Sequence, residues 1–475
     1  MVQAMSTGVL ARRDPEPAGR RAPGPVRFAP SPRRWPVTSF DVVAFLAVNV
    51  VVIAAMWWRH NGTMAFHDRT AILLSAGQLL ALYGTFLVLV QLVMVARVPW
   101  LDQRYGMDRL TRWHRLGGIA MVFALLGHTV FTVLGFAASD GKNPVSELVA
   151  QIRTLPDMLA ATVSLGLMIA VAVTSMRIAR RRLSYETWYF VHLYSYAALA
   201  LGFAHQFAVG SDFSDDRAAR IYWAGLYLIA IGLMFGHRLV APLVALARHR
   251  LRVTRIASES GDVVSLYLHG KHLDRYRAEA GQFVLVRFLT AGRWWKSHPY
   301  SFSAAPNTAA LRLSVKALGN DSASVAHVAA GTQVMLEGPY GAFTPAARTR
   351  PQVLLIAGGI GITPIRALFE QLPGNRGDVA LLYRARSVED LVFKDELDAI
   401  AARRGFVITY ALGSRRSFSA RNDPFDARHL EAIAPGLNRR DVFVCGPTSM
   451  MTAALAGLRA ARVPSDHIHY EHFTF

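Results

Sequence analysis

Long apolar runs alternate with short polar connections through the first half of the chain. Each run is close to the roughly 20 residues that a helix needs to cross a bilayer. The runs cover residues 39–58, 71–97, 112–137, 158–180, 184–208 and 219–241. The pattern predicts an all-α bundle of six transmembrane helices.

From about residue 246 the pattern changes to short strands separated by Gly, Asp and Asn turns. Strands that follow one another without intervening helices predict a small antiparallel β-barrel. The segments are RLRVTRI, VVSLYLHG, QFVLVRFL, LRLSVKAL and TQVMLEG. Residues 351–475 alternate apolar strands with helices, which predicts an α/β domain with parallel strands.

The distribution of charged residues favours a membrane protein over a nucleic-acid-binding protein. The net charge is +20, yet 52% of the residues are hydrophobic. The basic residues flank apolar runs instead of forming a patch interleaved with aromatic residues, so we expect no nucleic-acid partner. Residues 1–37 are rich in Arg, Pro and Gly, and we expect a disordered basic tail there and no signal peptide.

The basic loops also predict an orientation. They fall on one side of the expected membrane, whereas the opposite loops carry most of the acidic residues. Lys and Arg concentrate on the cytoplasmic side of membrane proteins. We therefore expect a multi-pass protein of the plasma (inner) membrane, with both termini and the second half of the chain in the cytoplasm.

Cys445 is the single cysteine of the chain. A cluster held by four thiolates is therefore excluded, and we expect no iron–sulfur cluster in this chain. No disulfide can form within the chain, and no Cys-x-x-Cys-His motif for covalent haem attachment occurs.

Four histidines lie inside apolar runs: His114 and His128 in the third, His192 and His205 in the fifth. A spacing of 14 or 13 residues corresponds to roughly 20 Å along a helix. A titratable side chain in a membrane span is costly, so a functional role is the default. A lone histidine would more often be a core residue bonded to a carbonyl. Two pairs at matched depths predict two haems, each held by one histidine from each helix.

The 13-residue spacing strains this geometry, because it leaves the second side chain roughly 140° from the face of the first. We expect the fifth helix to be irregular or tilted, or to approach the two haems differently. From the predicted orientation, His114 and His192 lie near the inner membrane face, and His128 and His205 near the outer face.

The run from Leu354 to Pro364 ends an apolar strand in glycines and opens a helix. Gly358, Gly359 and Gly361 would let the backbone approach a pyrophosphate at the helix N-terminus. A tight strand–helix turn without a ligand is the alternative.

Four motifs follow in a fixed order: His298-Pro299-Tyr300-Ser301, Gly338-Pro339-Tyr340-Gly341, Gly359-Ile360-Gly361-Ile362-Thr363-Pro364 and Cys445-Gly446-Pro447. This order resembles the ferredoxin–NADP reductase superfamily. With the six spans and the histidine pairs, residues 39–475 resemble the ferric reductase and NADPH oxidase superfamily.

The resemblance implies roles for individual residues. Tyr300 would lie against the flavin ring of FAD, with Ser301 near its reactive nitrogen and His298 toward the ribityl–phosphate side. The residues implied at the pyrophosphate are Lys316, Gly319 and Ser322.

At the nicotinamide, the resemblance implies a position for Cys445. Glu471 with Phe473 or Phe475 would match a C-terminal acidic–aromatic pair that covers the flavin. The alternative for this last segment is a buried edge strand.

The end of the second strand of the α/β domain bears on the choice of nicotinamide. An acidic residue there would bond the ribose hydroxyls, whereas arginine favours a 2′-phosphate. Arg384 and Arg386 are present and no acidic residue appears until Glu389. NADPH is therefore favoured over NADH.

These patterns together predict a multi-domain membrane flavocytochrome. The expected domains are the basic tail (1–37), a transmembrane haem-binding ferric reductase-like domain (38–245), an FAD-binding β-barrel (246–347) and an NAD(P)H-binding α/β domain (348–475). Electrons would pass from NADPH through FAD and two b-type haems to a small-molecule acceptor outside, a ferric chelate or dioxygen.

The acceptor stays open because two positions depart from the oxidase branch. Thr132 stands where that branch has a further histidine, and Arg59 matches its outer arginine only loosely. The alternative function is a membrane cytochrome b subunit that serves a partner protein or quinone, with a reductase module that is not its physiological electron source.

Overall fold

The computed structural model describes residues 11–12, 38–210, 216–414 and 423–471. The chain forms two compact units. Among the described residues, the helical unit comprises 38–101 and 109–237, and the sheet unit comprises 11–12, 102–108 and 238–471.

Helices make up the described chain from Ser39 to His249 almost entirely. Polar caps start several of them: Asp68 accepts from the amide of Ala71, and Ser184 accepts from that of Thr187. The helices are α1 (Ser39–Asn61), α2 (Arg69–Val95), α3 (Pro99–Tyr105), α4 (Met107–Asp140), α5 (Pro144–Thr154), α6 (Met158–Ser175), α7 (Arg177–Arg180), α8 (Tyr185–Val209), α9 (Arg217–Phe235) and α10 (Ala241–His249).

Five helical stretches among the described residues are long and apolar enough to cross a membrane. They are Ser39–Phe66, Arg69–Val95, Arg109–Asp140, Met158–Ser175 and Arg217–His249. The remaining predicted span coincides with α8, which has 25 residues and contains several tyrosines and two histidines that lower its mean hydropathy. The prediction of an apolar helical bundle is confirmed.

The structure differs from the predicted spans at some of the connections. Helix α3 occupies part of the predicted connection between the second and third spans. Within the predicted fourth span, α6 ends at Ser175 and α7 follows at Arg177–Arg180. Helix α5 begins at Pro144 and is capped by Asn143. The sixth span was expected to end at residue 241. Instead a π-helical turn, Gly236–Val240, carries the helix on to His249.

Small residues bring α2 and α4 together. A Cβ added to Gly77 would lie 2.7 Å from Oγ1 of Thr132, and one added to Gly127 would lie 2.8 Å from Cδ1 of Leu80. Close backbone approach at glycines is the usual way in which membrane helices pack, since apolar side chains gain little from one another in lipid.

Two three-stranded antiparallel sheets enclose one apolar core in the first part of the sheet unit. They are ordered β2-β3-β6 and β5-β4-β7. The strands are β2 (Arg252–Ser260), β3 (Val263–His269), β4 (Phe283–Phe288), β5 (His298–Ser301), β6 (Leu311–Lys316) and β7 (Val334–Tyr340). The predicted antiparallel β domain is confirmed.

A parallel sheet with flanking helices forms the second part. Its strands are β8 (Val353–Gly358), β9 (Val379–Ala385), β10 (Val407–Leu412), β11 (Asp441–Cys445) and β12 (Ile468–Glu471). The helices are α12 (Ile362–Gln371), α13 (Lys394–Arg404), α14 (Ala427–Ile433) and α15 (Thr448–Ala460), after a short α11 (Asn320–Ala323) in the first part. This α/β domain is also confirmed.

The N-terminal tail contributes one described element. Ala11 and Arg12 form β1, which pairs antiparallel with Thr409 and Tyr410 at the edge of the parallel sheet. The rest of the tail expected to be disordered lies outside the described residues.

A buried ion network joins the two parts of the sheet unit. Arg312 on β6 donates to both carboxylate oxygens of Glu396 on α13, at 2.8 and 3.0 Å. Arg366 on α12 lies 2.8 Å from the same carboxylate. Glu396 is therefore shared by two largely buried guanidinium groups, and Arg366 has a second carboxylate partner in Glu370.

We predict that Glu396→Ala destabilises this unit, because both guanidinium groups lose their shared carboxylate. The expected cost is about 2–3 kcal/mol, below the range for a fully buried pair because Glu396 is partly exposed. Thermal unfolding of the detergent-solubilised protein measures it. Asp395→Ala on the exposed side of α13 is the matched control, and equal unfolding temperatures for the two variants would contradict the prediction.

Candidate functional site

The imidazoles of His114 on α4 and His192 on α8 face each other inside the helical unit. Their ring centroids are 6.1 Å apart and their planes are inclined by 68°. Two imidazoles bound to opposite faces of one metal ion have nitrogens about 4 Å apart, which places their ring centroids roughly 6 Å apart. The observed spacing therefore fits a haem iron between these two rings.

Polar neighbours orient the ring of His192. Its Nδ1 lies 3.4 Å from Oγ of Ser175, and that hydroxyl also accepts a hydrogen bond from Trp188 at 3.2 Å. The ring of His114 is half-buried and lies next to the backbone of Gln91 on α2.

The second predicted pair consists of His128 on α4 and His205 on α8. Nδ1 of His128 is 3.0 Å from the carbonyl oxygen of Gly77. Donation to that carbonyl puts the lone pair on Nε2, the arrangement typical of a metal-bound histidine. Nδ1 of His205 is buried without a hydrogen-bond partner among the described residues.

Helix α8 is continuous from Tyr185 to Val209. The irregularity that we considered for the 13-residue spacing is therefore absent from its described residues. His192 and His205 leave α8 on faces roughly 140° apart. The 13-residue spacing then requires either a tilt of α8 or a different angle between each histidine and its haem.

In the sheet unit, β5 carries the motif from His298 to Ser301 beside a pocket. The pocket is lined by Phe288, Arg293, Lys296, His298, Asp321, Ser324 and Val325. The rings of His298 and Tyr300 are nearly parallel, with centroids 6.2 Å apart, and Ser301 is buried. Burial lowers the pKa of His298, so this imidazole is neutral at pH 7.

Two buried hydroxyl groups at this motif have no partner among the described residues, those of Ser297 and Tyr300. Burial also raises the pKa of Tyr300, so its hydroxyl keeps its proton and remains a donor. These unpaired groups beside an open pocket fit a polar, ring-bearing cofactor such as FAD.

Sequence reasoning missed Arg293 and Lys296, which line the pocket immediately before the motif. Lys296 contacts Asp321 at 2.7 Å, and Arg293 donates to the carbonyl oxygen of Ser324 at 3.2 Å. Two basic residues, Arg293 and Lys296, within five residues of His298 could have predicted an anionic ligand from the sequence.

The residues implied at the pyrophosphate are engaged within the protein. Lys316 pairs with Asp262 at 3.1 Å. Oγ of Ser322 accepts from the amides of Leu318 and Gly319, at 2.9 and 3.0 Å. Arg293 and Lys296 line the described pocket, and Ser322 accepts from amides in the turn that leads into α11.

The nucleotide motifs meet at the reversal of strand order in the parallel sheet. Successive strands run from β8 through β9 to β10 on one side, whereas β11 and β12 lie on the other. Ligands of open α/β sheets bind at such a reversal, at the carboxyl ends of the strands. The glycine turn follows β8 and the Cys445-Gly446-Pro447 motif follows β11, its neighbour.

The two turns touch through glycine. A Cβ added to Gly361 would lie 2.5 Å from the carbonyl oxygen of Cys445, and one added to Gly446 would lie 3.1 Å from that of Gly358. Gly359 has a φ of +52°, and Thr363 and Pro364 are buried at the start of α12. Only glycine at position 361 leaves α12 free to begin directly beside the β11 turn.

Cys445 is fully buried, and burial, followed by the nearby Glu471, raises the pKa of its thiol well above the usual value. The thiol is therefore protonated and unreactive. Cys445 and Glu471 lie opposite each other on β11 and β12. Phe473 and Phe475 lie outside the described residues, so the implied acidic–aromatic pair is described only at Glu471.

The C-terminal end of β7 lies beside β12. The position of a Cβ on Gly341 lies 3.1 and 3.4 Å from the carboxylate oxygens of Glu471. Gly341 has a φ of +102°, which a residue with a side chain rarely adopts. The end of the antiparallel part and the last described strand of the parallel sheet are therefore adjacent.

The two arginines at the end of β9 differ in exposure. Arg384 is half-buried and donates to the carbonyl oxygen of Ala385, whereas Arg386 is exposed. Ser387 donates to Asp390 at 3.3 Å. Arg386 is thus the more accessible cation at this strand end.

Comparison with known families covers both units. Residues 80–203 match the ferric reductase like transmembrane component, residues 248–344 match an FAD-binding domain, and residues 355–455 match an oxidoreductase NAD-binding domain. A membrane-embedded flavoprotein oxidoreductase is the class that these three matches define. The chain therefore carries a ferric reductase-like transmembrane component followed by FAD- and NAD-binding oxidoreductase domains.

Curated relatives match the reductase module. The ferredoxin reductase component of 3-ketosteroid-9-alpha-monooxygenase from Mycolicibacterium smegmatis is 32% identical over 47% of this chain and 65% of its own length. An NADPH oxidoreductase from Mycobacterium tuberculosis is 28% identical over 50% of this chain and 62% of its own length. The chain thus spans less than two thirds of the length of these relatives.

Among solved structures, the FAD/NAD-binding domain of nitric oxide dioxygenase from Vibrio cholerae is 27% identical. The match covers 48% of this chain and 99% of that domain, with a TM-score of 0.39.

We predict that Gly361→Ala impairs nucleotide use, because its methyl group would collide with backbone at Cys445 and shift the start of α12. Flavin reduction by NADPH should slow by about 10–100-fold while bound FAD is retained. Stopped-flow absorbance measures the rate. Gly261→Ala is the control, since nothing lies within 4 Å of its added methyl group; an unchanged rate in Gly361→Ala would show that the turn is not part of the site.

Proposed function

We propose that this protein transfers electrons from NADPH, through FAD and two b-type haems, to a small-molecule acceptor on the other side of the membrane. The observation that carries the proposal is the pair of facing imidazoles, His114 and His192, at a spacing that fits one iron. A soluble reductase module alone would not need such a pair inside apolar helices.

Histidines from the same two helices would hold both haems. His114 and His192 would ligate the inner haem, and His128 and His205 the outer one. The bond from His128 to Gly77 would fix one ligand ring, and Ser175 would support His192. Two histidine ligands leave no open position on iron, which favours electron transfer over oxygen binding.

The reductase module would hold FAD and the nicotinamide. Arg293, Lys296 and His298 would bind the phosphate side of FAD, and Tyr300 and Ser301 its ring. Gly358, Gly359, Gly361 and Gly446 would admit the dinucleotide pyrophosphate, with Cys445 near the nicotinamide. When bound, FAD would accept a hydride from NADPH and release electrons singly to the haems.

We further propose the domain boundaries at residues 38, 246 and 348, with the module on the cytoplasmic side of the plasma (inner) membrane. Outward electron transfer is then favoured by about 2.3 kcal/mol per 100 mV of potential, negative inside. The acceptor would react without binding to iron, which suits a ferric chelate or dioxygen. Turnover would depolarise the membrane.

We expect His128→Ala to lose the outer haem and to keep the inner one, because only one ligand pair is broken. His114→Ala should do the reverse. Haem content per chain and reduced-minus-oxidised spectra measure the loss, with exposed His67→Ala as the control. Full haem content in both pair variants would rule out the assignment.

The nicotinamide preference depends on Arg386 in this proposal. We expect Arg386→Ala to raise the KM for NADPH about tenfold by removing one charge-assisted contact to the 2′-phosphate, and to leave the KM for NADH unchanged. Steady-state kinetics with both nucleotides measure this, and Arg403→Ala on the exposed surface of α13 serves as control. A parallel rise for NADH, or no change for NADPH, would remove Arg386 from the site.

A further inference from the structure

A carboxylate from the connection between α2 and α4 reaches the end of β7 at Gly341. Asp102 on α3 is 1% exposed, and its Oδ2 accepts a hydrogen bond from the amide of Gly341 at 2.6 Å. The two residues are 239 positions apart in sequence. Residues 102–108 pack within the sheet unit, although they connect two of the helices of the helical unit.

Because the Asp102 carboxylate is buried, its hydrogen bond to Gly341 matters for stability. A buried carboxylate is costly unless it is hydrogen-bonded, and bonds from backbone amides to a carboxylate are stronger than neutral ones. An apolar contact supports the same segment, because Met107 packs against a cluster formed by Phe283, Leu285 and Tyr340. The segment is therefore seated by one charged hydrogen bond and one apolar cluster.

The amide that donates to Asp102 belongs to Gly341, a glycine with close neighbours. Gly341 is the residue whose missing side chain leaves room for the carboxylate of Glu471. Two acidic residues, one from α3 and one from β12, thus approach the end of β7 at Gly341. Movement of Asp102 would leave the amide of Gly341 without this acceptor.

Asp102 is also tied to a haem-ligand helix through the backbone. Its carbonyl oxygen accepts from the amide of Gly106 at 2.7 Å, and Gly106, with a φ of +75°, turns the chain into α4. His114 is seven residues after Met107, the first residue of that helix, which is about 10 Å along its axis. A short, continuous stretch of chain therefore links the carboxylate to the inner histidine pair.

We propose that Asp102 is a positioning residue that clamps the α3–α4 connection onto the end of β7 at Gly341, and that electron delivery to the inner haem depends on it. The inference rests on the proposed function. For each NADPH oxidised, two electrons would pass singly to two ferric irons, with NADP⁺, two ferrous irons and one proton as products. Hydride transfer from NADPH would need residues of the sheet unit alone and would not need the clamp.

The clamp is tested first without cofactors, by amide-resolved hydrogen exchange on the cofactor-free full chain in detergent. In Asp102→Ala the amide of Gly341 loses its acceptor, so its exchange should accelerate at least about tenfold. Asp102→Asn keeps an acceptor oxygen and should restore most of the protection. Gln103→Ala, an exposed neighbour on α3, should match the unaltered protein.

Electron delivery is tested second, by anaerobic stopped-flow absorbance of the loaded protein after mixing with NADPH. Flavin bleaching should proceed at the same rate in Asp102→Ala as in the unaltered protein. Haem reduction should slow about tenfold or more, and Asp102→Asn should recover most of that rate.

Unchanged Gly341 exchange or unchanged haem reduction in Asp102→Ala would overturn the proposal. Equal slowing of flavin bleaching and haem reduction would do so too, because it would indicate a general structural defect. If NADPH never reduces flavin in the unaltered protein, the proposed function fails instead. The exchange experiment then still decides whether Asp102 protects the amide of Gly341.

Discussion

The helical unit depends on one constraint, the free-energy cost of burying histidine rings among apolar helices. An imidazole in a membrane span needs a partner for each nitrogen, because no water is available there. Gly77 supplies one for His128, and its missing side chain allows α2 and α4 to approach closely enough for this. The buried Nδ1 atom of His205 has none among the described residues. Iron bound at one nitrogen of each ring would explain why these polar groups are retained.

A second constraint is steric and acts in the reductase module. The start of α12 and the turn after β11 occupy almost the same space, and Gly361 makes this possible. The same proximity puts a helix N-terminus and Cys445 at the one place where the strand order reverses. Phosphate recognition and nicotinamide placement are therefore consequences of a single close approach between neighbouring parallel strands.

Periodicity and short motifs predicted most of the fold, because helix length, strand alternation and glycine turns are local properties. They could not show that α9 runs through a π turn to His249, since that segment contains no strong helix breaker ahead of Pro242. The candidate site was predicted less completely. Arg293 and Lys296 line the pocket beside the His298–Ser301 motif but lie outside it, and the roles of Lys316 and Ser322 stay predictions. The contact of Asp102 with Gly341 depends on residues distant in sequence.

An anaerobic titration of the purified protein with NADPH tests the central claim most directly, with the flavin and haem absorption bands followed together. We predict that the flavin bleaches and that both haems then become ferrous, with two electrons delivered per NADPH and no other protein present. Haems that stay ferric while NADPH reduces the flavin would contradict the proposed electron path.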